Sequence, residues 1–78
     1  IEELIVHNQI RAEIRSLINE LPDDQREVVL LRHYGGLSFK EIAEQTDVSI
    51  NTALGRMRYA LINLRKMIRE KELTLTSS

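Results

Sequence analysis

Two helix-start signals stand close together in the middle of this chain, and little can fit between them. Ser38-Phe39-Lys40-Glu41 has the form of a capping box, in which Ser38 accepts from the Glu41 amide and Glu41 reaches back. It predicts a short helix over about residues 38–45. Thr46-Asp47-Val48 reads as a turn, and Ser49 as the cap of a long helix over about residues 49–70. Two helices joined so tightly must cross steeply. The crossing needs a small residue, which Ala43 supplies, and an apolar plug in the turn, which Val48 supplies. Ala53, Met57, Ala60 and Leu64 recur at helical spacing and give the long helix an inward stripe. This is the pattern of a helix-turn-helix.

The chain before it reads as two more helices. Val6, Ile10, Ile14, Leu17 and Leu21 form one stripe on a first helix over about residues 2–20. Pro22 stops it, because the residue before a proline is driven out of the α region. Asp23 and Asp24 open a second helix, where carboxylates favour the positive dipole end. It continues through Val28, Leu31 and Tyr34 until Gly35-Gly36 ends it. The expected fold is all-α: a small four-helix domain with a homeodomain-like or winged-helix-like three-helix core and no sheet. Residues 1–20 are read as a linker and first helix, 21–71 as the helix-turn-helix unit, and 72–78 as a frayed tail.

At 78 residues, one domain is the ceiling, and cysteine is absent, so apolar helix faces must supply the stability. The longest apolar run, Val28 to Leu31, is far too short to span a bilayer, and no membrane insertion is expected. The acidic opening Ile1-Glu2-Glu3 has no initiator Met and no signal-peptide character, which reads as a fragment of a longer cytoplasmic protein. No apolar stripe remains in heptad register, so a monomer is expected. No nucleophile–base constellation or phosphate loop is present, and His7 and His33 lack partners at metal-ligand spacing. The chain is therefore expected to be neither an enzyme nor a metal or cofactor protein.

Charge is more informative in its distribution than in its sum of −1. Residues 1–48 carry 5 basic and 10 acidic side chains, whereas residues 49–69 carry Arg56, Arg58, Arg65, Lys66 and Arg69 with no acid. On a helical wheel, Ile50, Met57, Leu61, Leu64 and Ile68 fall within about 80° of Ala53, on the inward side. Asn51, Gly55, Arg58, Ile62, Lys66 and Arg69 cluster on the opposite face, flanked by Thr52, Tyr59 and Arg65. Such a face suits the major groove, where the first turns of a helix reach base edges. Gly55 permits close approach, Asn51 and Thr52 are short hydrogen-bonding groups, and Arg58 can fork onto a guanine or a phosphate. Arg65, Lys66 and Arg69 lie further along and suit phosphate. Ser38 and Ser49 are read first as caps and second as phosphate contacts, with Lys40 beside them. Arg56 borders the inward stripe, where an acid on the third helix is its alternative partner.

The segments Leu21-Pro22-Asp23-Asp24-Gln25-Arg26-Glu27-Val28-Val29-Leu30-Leu31 and Tyr34-Gly35-Gly36-Leu37-Ser38-Phe39-Lys40-Glu41-Ile42-Ala43-Glu44 resemble region 4 of bacterial sigma factors. So do Val48-Ser49-Ile50-Asn51-Thr52-Ala53 and the following Arg56, Ala60 and Leu64-Arg65. The spacing is similar to the extracytoplasmic-function group, over about residues 10–69. The resemblance implies a domain that holds the minus-35 promoter element with its last helix. It also implies contact with the flap of the RNA polymerase β subunit, and masking by an anti-sigma factor. Its base-contacting positions fall on Leu54, Gly55, Arg58 and Tyr59, with Asn51, Thr52 and Arg56 nearby. Several members carry a basic residue where Leu54, Tyr59, Leu61 and Ile62 stand here, which implies a base readout that either relies more on apolar contact with thymine methyls or is weaker in isolation. Val29 and Leu30, beside the Val28/Leu31 stripe, are the candidate anchors for polymerase. The alternatives are the helix-turn-helix output domain of a response regulator, with which Gly-Leu-Ser and Lys-Glu-Ile-Ala are shared, and a protein-interaction module without DNA binding.

Overall fold

The computed structural model describes residues 12–77, with side chains placed through Lys71. It is helical with no strand among those residues. Helix α1 covers residues 12–19, α2 Asp23–Val29, α3 Phe39–Thr46 and α4 Ile50–Ser77. The expected stretch of the first helix before residue 12, with Val6 and Ile10, lies outside the described residues.

Helix α1 closes in two tight steps, as the backbone N–H groups of Glu20 and Leu21 donate to the carbonyls of Leu17 and Ile18 at 3.0 and 3.1 Å. Pro22 then takes an extended conformation and α2 begins. Leu17, Ile18 and Leu21 are buried, whereas Ile14 is exposed. The inward face is thus one residue wide of the expected stripe, because it is the pair Leu17/Ile18 that meets the next helices.

After Val29 the chain does not continue as a regular helix. Leu30–Tyr34 widens into a π-helical turn, closed by the Gly35 N–H donating to Leu30 O at 3.0 Å. A Cβ on Gly35 would sit 2.7 Å from the Leu31 carbonyl oxygen, so glycine is what lets the chain close here. The widened turn leaves Tyr34 exposed instead of continuing the Val28/Leu31 stripe. Gly36 follows at φ +68°, the left-handed conformation that ends helices. Arg32 holds the loop into α3, donating to Leu37 O at 2.9 Å while its guanidinium stands 5.0 Å from the Phe39 ring centroid.

The core forms two clusters. Ile18, Leu21, Val29 and Ala60 make one, and Val28, Ile42, Ala43 and Ala53 the other. Val28, Ile42, Ala53 and Ala60 have no exposed surface at all. The alanines matter for their size: Ala43, Ala53 and Ala60 let α3 and α2 approach the α4 backbone. Met57 packs against both clusters and joins them. Val29 belongs to this core, so it is unavailable as the surface anchor expected from its place beside the stripe. Leu30 remains exposed.

Helix α4 buries a narrower and slightly rotated arc than the wheel predicts. Ala53, Met57, Ala60, Leu64 and Met67 face the core, but Ile50, Leu61 and Ile68 are exposed. The arc turns toward Arg56 and Asn63, which are half-buried because the polar start of α2 packs over them. Asn63 Nδ2 donates to Gln25 Oε1 at 2.6 Å, and Arg56 Nε lies 3.7 Å from Asp24 Oδ2. The backbone of α4 remains helical to Ser77, past the end expected near residue 71 and through the segment read as a frayed tail. No glycine or proline follows Gly55 to halt it.

Candidate nucleic-acid interface

The local geometry of the interface begins at Ser38. Its Oγ accepts from the Glu41 N–H, and the Ser38 N–H donates to Glu41 Oε1, both at 3.1 Å. The capping box is complete, and it starts α3 with Lys40 exposed on its first turn. The hydrogen bond from the Ser38 backbone, and then that from its side chain, hold the Glu41 carboxyl below its ordinary value of 4.5.

Helix α3 ends on Asp47, whose φ of 55° is left-handed and whose N–H donates to Ala43 O. Aspartate tolerates this conformation better than most residues. The turn brings Val48 against the Val28/Ile42/Ala43/Ala53 cluster. Ser49 then caps α4 by accepting from the Thr52 N–H at 3.1 Å, and its hydroxyl donates to Thr52 Oγ1 at 2.9 Å. Ser38 and Ser49 are therefore both committed to caps in this structure, and α3 and α4 pack together through the core cluster that Ala43 and Ala53 share.

That packing leaves one face of α4 open to solvent. Asn51, Thr52, Leu54, Arg58, Tyr59, Arg65, Lys66 and Arg69 are all exposed. Gly55 is half-buried, and a Cβ built there meets nothing within 4 Å, so the space over it is open. Of the candidate residues, Arg56 stands apart. Its acidic neighbour comes from the start of α2, not from α3 as expected, and its side chain is 28% exposed. The guanidinium lies at the edge of the face rather than on it.

Two features were not foreseen. Phe39, Leu54, Met57, Leu61 and Ile62 line an open apolar trough between the start of α3 and α4, with Arg58 and Arg65 on its lining. Counting Leu61 as inward on the wheel hid this trough. Away from α4, Ile14, Arg15, His33 and Tyr34 line a second cleft, where Arg15 stands 5.6 Å from the Tyr34 ring centroid and the His33 ring meets Tyr34 edge-on at 4.9 Å. It depends on the π-helical turn, which carries no simple sequence signal. Among the described residues no group of His, Cys, Asp or Glu is placed to hold a metal, and no helix is long and apolar enough to cross a membrane.

Two helices joined through a left-handed turn residue, packed on a preceding helix and ending in a long basic helix, define a helix-turn-helix domain. The family model described as Sigma-70, region 4 matches residues 11–61, and the chain belongs to that family. It is similar to the ECF RNA polymerase sigma factor SigK of Mycobacterium tuberculosis (strain ATCC 25618 / H37Rv), with 29% identity over 68 residues. That match covers 87% of this chain and 36% of the relative. SigK of Mycobacterium ulcerans (strain Agy99) is 33% identical over 58 residues, 74% of this chain and 31% of the relative. The chain thus spans about a third of the length of the relatives it matches.

Proposed function

We propose that this domain binds duplex DNA at the minus-35 element of promoters, as the C-terminal part of an alternative sigma factor that directs transcription initiation by RNA polymerase. One observation carries the reading. On a domain of the sigma-70 region 4 family, residues 49–69 hold five cations and no acid, and Arg58, Arg65, Lys66 and Arg69 are exposed on the outward side of the second helix of the helix-turn-helix. A phosphate-lined groove rewards that arrangement, and an acidic residue there would oppose it.

Roles follow from position along α4. Asn51, Thr52, Leu54, Gly55, Arg58 and Tyr59 occupy the first turns, within reach of base edges. Arg65 and Lys66 come later, where a straight helix passes the phosphate backbone. Lys40, on the first turn of α3, faces phosphate; Ser38 and Ser49 contribute by setting the two helix starts. Arg56 orients α4 through Asp24 and touches DNA only at its margin. Polymerase contact uses a surface away from α4, with exposed Leu30 as its anchor in place of buried Val29. The domain acts in the bacterial cytoplasm as a monomer outside the polymerase complex, performs no catalysis, and is subject to masking by an anti-sigma factor.

Arg58 provides the test. Duplexes selected by the chain from a randomised pool are compared with scrambled duplexes of the same composition. Arg58→Ala is expected to cost about 1–3 kcal/mol on the selected duplex and far less on the scrambled one. Equal loss on both would remove Arg58 from base reading. A second reading, a protein-interaction module, is favoured by the apolar trough along Phe39, Leu54, Leu61 and Ile62. It predicts no preference for any selected duplex even at low salt.

A further inference from the structure

Three apolar side chains outside the core stand in a row along α4. Leu54, Leu61 and Ile68 are each seven residues from the next, with 43%, 45% and 40% of their surfaces exposed. Seven residues make nearly two turns, so the row repeats about every 10 Å on one side of the helix. A single exposed leucine is ordinary, whereas a continuous apolar strip marks a contact surface. An apolar row in heptad register is therefore left over, contrary to the expectation from sequence, which counted Leu61 and Ile68 inward. Its first half runs along the trough lined by Phe39, Leu54, Leu61 and Ile62. The Phe39 wall is held in place: the Arg32 guanidinium stands 5.0 Å from its ring centroid and is tied to Leu37 O at 2.9 Å. A wall that is already ordered lowers the cost of docking.

Charge decides what covers the row. Arg58 and Arg65 line the same trough, also seven residues apart, and neither has an ion pair among the described residues. A second α4 laid against the row would bring arginines against arginines. A helix with large apolar residues in the same seven-residue register, and carboxylates beside them, satisfies the leucines and the arginines together. We propose that this row is the docking surface for an acidic amphipathic helix of another protein. Arg58 and Arg65 also belong to the face read as binding DNA. On that reading, which this part of the proposal rests on, the helix and the duplex use the same arginines and exclude each other.

The probe is a synthetic peptide about three heptads long, with leucine at both seam positions of each heptad and glutamate at the flanking ones. Its controls are a shuffled peptide of the same composition and a peptide with lysine in place of glutamate. The chain should bind the heptad peptide and neither control. Leu61→Ala should weaken that binding about fivefold to tenfold, for burial of the exposed half of the side chain, and leave duplex affinity unchanged. Arg65→Ala should weaken it and lower its salt dependence. The heptad peptide should displace duplex from the wild type. Circular dichroism confirms that both variants fold. Equal binding of the shuffled peptide would reduce the surface to an unspecific basic face and overturn the proposal. So would failure of the heptad peptide to bind, or binding undisturbed by Leu61→Ala. Self-association of the chain that Leu61→Ala abolishes would assign the row to a second copy instead. Docking without displacement of duplex would overturn the shared use of the arginines. If the peptide docks but the wild type does not distinguish selected from scrambled duplex, the promoter reading falls and the docking surface stands.

Discussion

Arg56 Nε lies 3.7 Å from Asp24 Oδ2, so a cation at the edge of the outward α4 face is held by the first turn of α2. With the Asn63–Gln25 hydrogen bond about two turns further along α4, it forms a polar seam that flanks the apolar core. Both Arg56 and Asp24 keep solvent access, so the pair has modest strength. A double-mutant cycle with Asp24→Asn and Arg56→Gln should give a coupling of about 1 kcal/mol or less. Thermal unfolding of the four proteins measures it. A much larger coupling would mean that the seam, rather than apolar packing, fixes α4.

The register of α4 separates Met57 from Leu61. Met57 packs on both clusters, whereas Leu61 is 45% exposed although the wheel places both inward. Met57→Ala should cost about 2–5 kcal/mol. Leu61→Ala should stay within about 0.5 kcal/mol. A domain of this size holds on the order of 5 kcal/mol in total, so Met57→Ala is expected to leave a large unfolded fraction. Equal destabilisation in denaturant titrations would instead restore the register read from the wheel, with Leu61 inward.

Gly55 allows stability and binding to be pulled apart. Nothing lies within 4 Å of a Cβ built there, and the residue is inside a helix. Gly55→Ala should therefore stabilise the fold by up to about 1 kcal/mol through helix propensity. It should also weaken DNA binding, because the methyl occupies the surface that approaches the groove. A stabilised variant with undiminished affinity would place the DNA elsewhere.

Acid should loosen the start of α3. Glu41 is held below its ordinary value of 4.5 by the Ser38 backbone and side chain. Its contribution is present above the unfolded value and is lost as pH falls through the lower folded value. Glu41→Gln keeps a capping group without the charge. Its melting temperature should therefore fall less than that of the wild type on acidification below about pH 4.5, with the two curves parallel above pH 6. Parallel curves throughout would show that Glu41 has no such linkage.

Much of this arrangement was legible in the sequence where local chemistry decides it. The Ser38–Glu41 box, the Ser49 cap and the Thr46–Val48 turn each depend on residues within a few positions of one another, and Ala43 lies close to that turn. The π-helical turn at Leu30–Tyr34 was not legible, because it follows from how closely Gly35 approaches Leu31 once the core is packed. The rotation of α4 was also hidden. Ile50, Leu61 and Ile68 are apolar and lie close to the stripe, and only the packing of α2 shows that Arg56 and Asn63 take the covered side instead. For the candidate interface, sequence pattern identified the exposed cations, while the fate of Arg56 depended on an acid thirty-two positions away at Asp24.

The central claim is that the cations on the outward face of α4 meet phosphate, and Lys66 tests it most directly. Lys66 is exposed on that face, at its fifth turn. Binding of the wild-type chain and Lys66→Ala is measured across a salt series on selected and scrambled duplexes. Each phosphate contact contributes about −0.9 to the slope of log affinity against log salt. Lys66→Ala should flatten the slope by about one unit and weaken both duplexes alike. An unchanged slope would contradict the claim and leave the basic face as a solvated surface.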